Sequence, residues 1–246
     1  MPSTQSGPSG LCKSWQGKAW IQLSAVVLGV LPLYSSLIIL QLRRDQPISV
    51  QGFILYLAVI APLSIVIALL LLRFLCGENP RDLNLRPGKP SSDVLAALIL
   101  CPVIIVANVI STYFLSELLP GSPSNTDITN LMAKLAGNPW LLVLFIGLLI
   151  FLGAASEEVI RVFLLSRLWK VWPSTRGRLA GVVISACLFG FIHLYRGPVS
   201  VAWTAVFGLI AALYYLRFGR VVPLILAHYL TNALQVVVSA VLARQV

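Results

Sequence analysis

The chain has 246 residues, of which 58% are hydrophobic and 11% are charged, with a formal net charge of +10 and a mean hydropathy of +0.91. Soluble globular domains carry about a quarter charged residues, so this composition excludes an ordinary soluble enzyme. The basic surplus shows no basic–aromatic pattern of the kind that binds nucleic acid, and a nucleic-acid partner is not expected.

Seven apolar segments are long enough to cross a bilayer as helices, for which about 17–25 residues are needed. In chain order they are 19–42, 52–76, 94–119, 140–166, 179–195, 199–218 and 223–243. Residues 1–18 are rich in Ser, Gly and Pro and predict a disordered N-terminal tail. The sequence therefore predicts an all-α fold, a polytopic membrane helix bundle. Its N-terminal transmembrane helices lie in 19–135 and its membrane core in 136–246.

The basic residues are unevenly divided between the two ends of these segments. Most of them fall in the N-terminal tail and in the second, fourth and sixth connections, for example Arg73, Lys170 and Arg220. The positive-inside rule assigns such connections to the cytoplasm. We therefore expect a multi-pass protein of the cell membrane with a cytoplasmic N-terminus, and the lipid bilayer as a partner.

Ionisable and polar side chains occur inside three of the C-terminal apolar segments. Such groups are costly at membrane depth and usually mark a functional site. The three segments are AASEEVIRVFLL with Glu157, Glu158 and Arg161, FGFIHLY with His193, and LAHYLTN with His228 and Asn232; the chain has no other histidine. This clustering predicts one polar cavity enclosed by the bundle.

Helical spacing assigns the two acids different directions. Glu157 and Glu158 project about 100° apart, and Arg161 is within helical reach of both. One acid can therefore face a cavity while the other pairs with Arg161, since two unpaired carboxylates in a low-dielectric site would hardly both stay ionised. A purely structural ion pair is the alternative for this segment considered alone.

The remaining motifs are also open to a structural interpretation when each is taken alone. Phe189 and His193 are four residues apart, as are His228 and Asn232, so each pair shares a helix face. Hydrogen bonds that join helices would account for the polar members. Taken together, however, a carboxylate, two imidazoles and an amide can activate water and stabilise an oxyanion.

The motifs EExxR, FxxxH and HxxxN, in this order on successive apolar segments, resemble those of the CPBP family. That family groups type II CAAX prenyl endopeptidases with bacterial bacteriocin-processing and self-immunity (Abi) proteins. The resemblance covers roughly 140–240. It implies a helical membrane core with a polar cavity, and an intramembrane endopeptidase that cleaves a peptide or a membrane-associated protein.

The same resemblance implies a role for each site residue. Glu157 would activate water with the help of His193, and His228 and Asn232 would bind the tetrahedral oxyanion. Glu158 would lie behind the reacting groups and, together with Arg161, hold them in position.

The first motif departs from the usual family pattern, EExxxR. The position of the family's arginine is Val162 here, and Arg161 comes one residue earlier. A shift of one position along a helix changes the direction of the side chain by about 100°. We therefore expect Arg161, together with Phe189, to support the site, although the shift leaves catalytic competence open.

Three alternatives remain open from the sequence. Glu157, His193 and His228 could hold a zinc ion with water as the fourth ligand, but the HExxH spacing is missing, and we expect no cofactor. A catalytically inactive scaffold or chaperone of the same family is the main functional alternative. A proton-coupled transporter that uses Glu157 and His193 as a relay is the third.

Overall fold

The structure, a computed structural model, describes residues 18–42, 50–83, 88–118, 135 and 137–242. Throughout these ranges every regular element is helical. The seven long helices are α1 (Ala19–Leu42), α2 (50–75), α3 (Pro90–Leu118), α4 (Pro139–Val171), α5 (Thr175–Phe191), α6 (Pro198–Phe218) and α7 (Val222–Leu242). The predicted all-α helix bundle is confirmed. The predicted tail, 1–18, lies outside the described residues except for Lys18.

Five helices, α2, α3, α4, α6 and α7, are long and apolar enough to cross a membrane, so the chain is a multi-pass membrane protein. The prediction of seven spans is met by seven helices, of which α5, with 17 residues, is the shortest. Helix α1 has 24 residues, and Ala19–Tyr34 is the apolar part of it whose side chains the structure describes. Both helices pack against α4.

Helix α4 lies at the centre of the bundle and packs against α1, α2, α5, α6 and α7. Its second half is accordingly buried, and Ile160, Val162 and Phe163 are fully inaccessible. Helix α3 is peripheral and packs mainly on α6 and α7. It turns large apolar side chains outward, as a helix in contact with lipid would, among them Leu98, Val106 and Phe114.

The structure corrects the predicted boundary of the fifth segment. The sequence placed His193 inside a span, 179–195, whereas α5 ends at Phe191 and a 3₁₀ turn, Leu194–Arg196, follows. Gly197 closes this turn with φ of 90°, a conformation that favours glycine. His193 therefore stands in the connection between α5 and α6 rather than on a helix face.

Close packing of α5 on α6 fixes the position of this connection. A Cβ added at Gly190 would lie 2.6 Å from the carbonyl oxygen of Val201 and 2.9 Å from Cβ of Ala205. The two helices thus approach with backbone against backbone, and only glycine fits at the contact.

Helices α2 and α4 each contain a π-helical turn in the half that lines the cavity. Tyr56–Ile60 interrupts α2, and Phe145–Leu149 interrupts α4. Such turns are frequent at functional sites because they redirect side chains within a helix. Tyr56, Leu57 and Phe145 from these turns all line the cavity described below.

The opposite end of the bundle is held by an ion-pair cluster. Glu78, which follows α2, accepts hydrogen bonds from Arg167 at 2.6 and 2.7 Å and from Lys170 at 2.7 Å. Arg167 also donates to Gln22 of α1 at 2.9 Å. Burial alone would raise the pKa of Glu78, but the bonds from Arg167 and Lys170 outweigh it and hold that pKa below its ordinary value.

Candidate active site

A cavity of about 170 Å³ lies between α2, α3, α4, α6, α7 and the end of α5. Four of the sequence-predicted site residues, Glu157, His193, His228 and Asn232, contribute to its wall, together with the supporting Phe189. The other lining residues are Phe53, Tyr56, Leu57, Ile104, Phe145, Ile150, Gly153, Arg196, Trp203, Thr204, Phe207, Thr231, Gln235, Val236 and Ser239. The structure thus brings the three motifs to one mainly apolar chamber with convergent polar groups.

Glu157 presents its carboxylate to this cavity. Its side chain is 14% exposed, and Oε2 has no hydrogen-bond partner within the described residues. Nε2 of His228 lies 3.7 Å from Oε2, beyond hydrogen-bond distance but suited to a bridging water molecule. A buried carboxylate oxygen needs such a partner, so the arrangement favours water bound between these two residues.

Glu158 lies behind the cavity and is completely buried. Its two oxygens lie 2.6 and 2.5 Å from Nη1 of Arg161, and Oε1 also lies 2.8 Å from Nδ1 of His228. A carboxylate paired with arginine only accepts hydrogen bonds, so Nδ1 of His228 donates here. The two acids divide as helical spacing predicts, with one toward the cavity and one toward Arg161.

Arg161 reaches the site in spite of its shifted position. Its guanidinium lies 3.9 Å from the ring centroid of Phe189 and 5.1 Å from that of Phe207. Nε and Nη2 have no hydrogen-bond partner within the described residues, and the aromatic faces supply cation–π contacts instead. Val162, at the position of the family's arginine, is buried in the core. Arg161 therefore connects Glu158 to Phe189 of the FxxxH motif.

The orientation of His193 is fixed by the backbone of the last turn of α5. Nδ1 lies 2.9 Å from the carbonyl oxygen of Phe189. A carbonyl only accepts, so Nδ1 donates, and in the neutral ring Nε2 is then an acceptor. This is the tautomer that a residue assisting the removal of a proton from water requires.

Helix α7 carries a polar row along the cavity wall. His228, Asn232, Gln235 and Ser239 follow one another at steps of four, three and four residues and all line the cavity. This spacing keeps them on one helix face. The ring centroids of Phe207 and His228 are 4.7 Å apart, so Phe207 packs against the imidazole.

Sequence reasoning missed several residues of the cavity wall. Gln235 and Ser239 could have been found, because they continue the spacing of His228 and Asn232. The signal for Arg196 was weaker, since it consists only of the distance of three residues from His193. No signal in the sequence indicated that π-helical turns of α2 and α4 would line the cavity.

A zinc site would require Glu157, His193 and His228 to converge on one point. Within the described ranges, no group of three or more His, Cys, Asp or Glu residues is arranged to hold a metal ion. Glu157, His193 and His228 share the cavity without forming such a set. No catalytic step is therefore assigned to a metal.

Residues 138–234 match the family model described as type II CAAX prenyl endopeptidase Rce1-like. The matched segment runs from the start of α4 into α7 and includes every residue of the three motifs. No curated protein and no solved structure matches the chain.

Proposed function

We infer from the match of residues 138–234 to the Rce1-like type II CAAX prenyl endopeptidase model that the chain is a member of this family, and we propose that it is an intramembrane endopeptidase of peptides or membrane-associated proteins. The observation that carries this proposal is the buried, unpartnered Oε2 of Glu157, which faces a cavity beside Nε2 of His228. A carboxylate in this setting is a suitable general base for a bound water molecule.

In the proposed reaction, Glu157 removes one proton from water. Nε2 of His193 assists by accepting a hydrogen bond from the same water molecule. The water oxygen attacks the carbonyl carbon of the scissile peptide bond and forms a tetrahedral oxyanion. Collapse of this intermediate breaks the carbon–nitrogen bond, and the proton held by Glu157 passes to the leaving amine. A carboxylic acid and a free amine result.

The oxyanion is bound by Asn232 and His228 in this scheme. The side-chain amide of Asn232 lines the cavity one turn after His228. Because Nδ1 of His228 already donates to Glu158, donation from Nε2 requires a doubly protonated ring, which in this scheme is present before the attack and is unchanged after it. Preorganised donors of this kind stabilise the developing charge in a site that excludes bulk water.

We also propose that the N-terminus is cytoplasmic, since Arg73, Lys170 and Arg220 all lie at one end of the bundle. Under this orientation Glu157 lies near the middle of α4, and His228, 3.7 Å from it, lies six residues from the cytoplasmic end of α7. Most other lining residues lie in the halves of their helices that are remote from the cytoplasmic end. Examples are Phe53 at the start of α2 and Ser239 near the end of α7. The substrate would then enter from the non-cytoplasmic side.

Digestion of a peptide library by the purified protein in detergent tests the proposed activity. We expect wild-type protein to cleave and Glu157→Gln to be inactive while it still folds. Glu117→Gln is the matched control, because Glu117 is an exposed glutamate at the end of α3. Equal cleavage by wild type and Glu157→Gln would refute the role of Glu157.

The same variants test the scaffold alternative. A scaffold would retain its membrane partner when Glu157 is replaced, whereas an enzyme loses product formation. The shifted arginine was the best sequence argument for a scaffold. This argument is weakened by the structure, because Arg161 still makes a short ion pair with Glu158.

A further inference from the structure

Arg196 is a cavity-lining cation that the proposed chemistry does not use. Among the residues that line the cavity in the described chain, it is the only arginine or lysine. Within the described residues its guanidinium forms no ion pair. The carboxylate of Glu157, which lines the same cavity, attracts this guanidinium only from beyond ion-pair distance, so the N–H groups of Arg196 can bind a further anion.

The position of Arg196 is fixed by its surroundings. Its backbone N–H donates to the carbonyl of His193 at 2.9 Å, and that of Gly197 donates to Leu194 at 2.9 Å. Its guanidinium carbon lies 5.5 Å from the ring centroid of Trp203 on α6, a cation–π contact. The side chain is therefore held in the cavity wall, in the same short turn as His193.

We propose that Arg196 is the binding site for a carboxylate of the substrate. This inference rests on the proposed function, because the ligand is then a peptide, whose anionic groups are its C-terminal carboxylate and the side chains of Asp and Glu. The planar guanidinium binds a carboxylate through two parallel hydrogen bonds. Such a contact is strengthened in a cavity that excludes water.

This contact would position the peptide as well as bind it. A carboxylate at Arg196 anchors one end of the substrate beside His193, while Asn232 and Gln235 face the same cavity from α7. Neither amide makes a hydrogen bond within the described residues, so both are available to the substrate backbone. Arg196 is therefore a specificity-determining residue and not a catalytic one.

The test compares fluorescently labelled apolar peptides of one sequence that differ only in charge. One ends in a free carboxylate, one ends in an amide, and one ends in an amide but carries an internal Glu. Binding is measured by fluorescence anisotropy on the Glu157→Gln protein, so the measurement does not depend on cleavage. Failure of the proposed protease activity is thus separable from failure of this inference.

We expect the free-carboxylate or the internal-Glu peptide to bind about 10- to 100-fold more tightly than the neutral amide, as a charge-assisted contact predicts. Whichever anionic peptide binds more tightly identifies the source of the carboxylate. Adding Arg196→Gln should abolish the preference. Arg196→Lys, which keeps the charge but loses the planar fork, should restore part of it.

Arg217→Gln is the matched control, because Arg217 is exposed, lies over Phe218 at 5.3 Å and does not line the cavity. It should keep the full preference for the anionic peptide. Equal affinity for all three peptides, including no measurable binding of any, would overturn the assignment. A preference that survives Arg196→Gln would overturn it too. Active protein also gives a kinetic check, since Arg196→Gln should raise KM for the anionic peptide more than for the neutral amide.

Discussion

Nδ1 of His228 donates a hydrogen bond to Oε1 of Glu158 across 2.8 Å, and this bond joins α7 to α4 inside the bundle. Glu158 is held at the same time by Arg161. Two adjacent acids of one motif thus have separate tasks. Glu158 satisfies a buried cation and a histidine, and the neighbouring Glu157 keeps an unpartnered oxygen toward the cavity.

Glu158→Gln should destabilise the protein. Loss of the carboxylate leaves Arg161 buried without its anion, a change that costs about 3–5 kcal/mol. Unfolding by a denaturing detergent should show this loss in the free energy of unfolding. Glu157→Gln is the control and should unfold almost as wild type does, because the carboxylate that it removes is not in a close ion pair. Equal destabilisation by both variants would contradict the division of tasks.

The sequence predicted the helical membrane bundle and the site residues on α4 and α7 because both depend on local periodicity. Glu157 and Glu158 diverge simply because consecutive helical residues do. It could not predict that α5 ends before His193, since that boundary depends on the contact between Gly190 and α6. Nor could the sequence predict that Phe53 and Tyr56 form part of the cavity wall, because this depends on a π-helical turn and on packing between distant segments.

Gly190→Ala should weaken the contact between α5 and α6. Its added methyl group would lie 2.6 Å from a backbone oxygen, which cannot move aside as a flexible side chain can. We expect a loss of about 1–3 kcal/mol in the free energy of unfolding. Gly147→Ala is the control, because nothing lies within 4 Å of a Cβ at that helical position. If Gly190→Ala were as stable as Gly147→Ala, the close approach of the helices would be wrong.

Asn232→Leu should lower kcat by about 100- to 1,000-fold and change KM little, because an oxyanion donor acts mainly in the transition state. Asn108→Leu is the matched control. Asn108 lies on α3, bonds with Thr112 at 3.0 Å and does not line the cavity. Steady-state kinetics on a cleavable library peptide measure both constants. An Asn232→Leu enzyme with normal kcat would remove Asn232 from the oxyanion site.

Chelation by EDTA should leave peptide cleavage unchanged. The described residues hold no group of three or more metal-ligating side chains in suitable geometry, and water activation is assigned to Glu157 instead. Activity is measured before and after dialysis against the chelator, with metal content determined on the same sample. Complete loss of activity, restored by zinc alone, would replace the proposed scheme with a metalloprotease.

Acid should weaken the cluster that joins the end of α2 to α4. The hydrogen bonds from Arg167 and Lys170 outweigh burial and depress the pKa of Glu78 in the folded state. The ion pair therefore contributes its full stability above the ordinary glutamate pKa of 4.5, and this contribution is lost as pH falls through the folded-state pKa. Thermal unfolding between about pH 6 and pH 3 should show a falling melting temperature. Glu78→Gln should lower the melting temperature at neutral pH and flatten this acid dependence, whereas Glu117→Gln should preserve it. An unchanged slope in Glu78→Gln would show that other carboxylates govern acid unfolding.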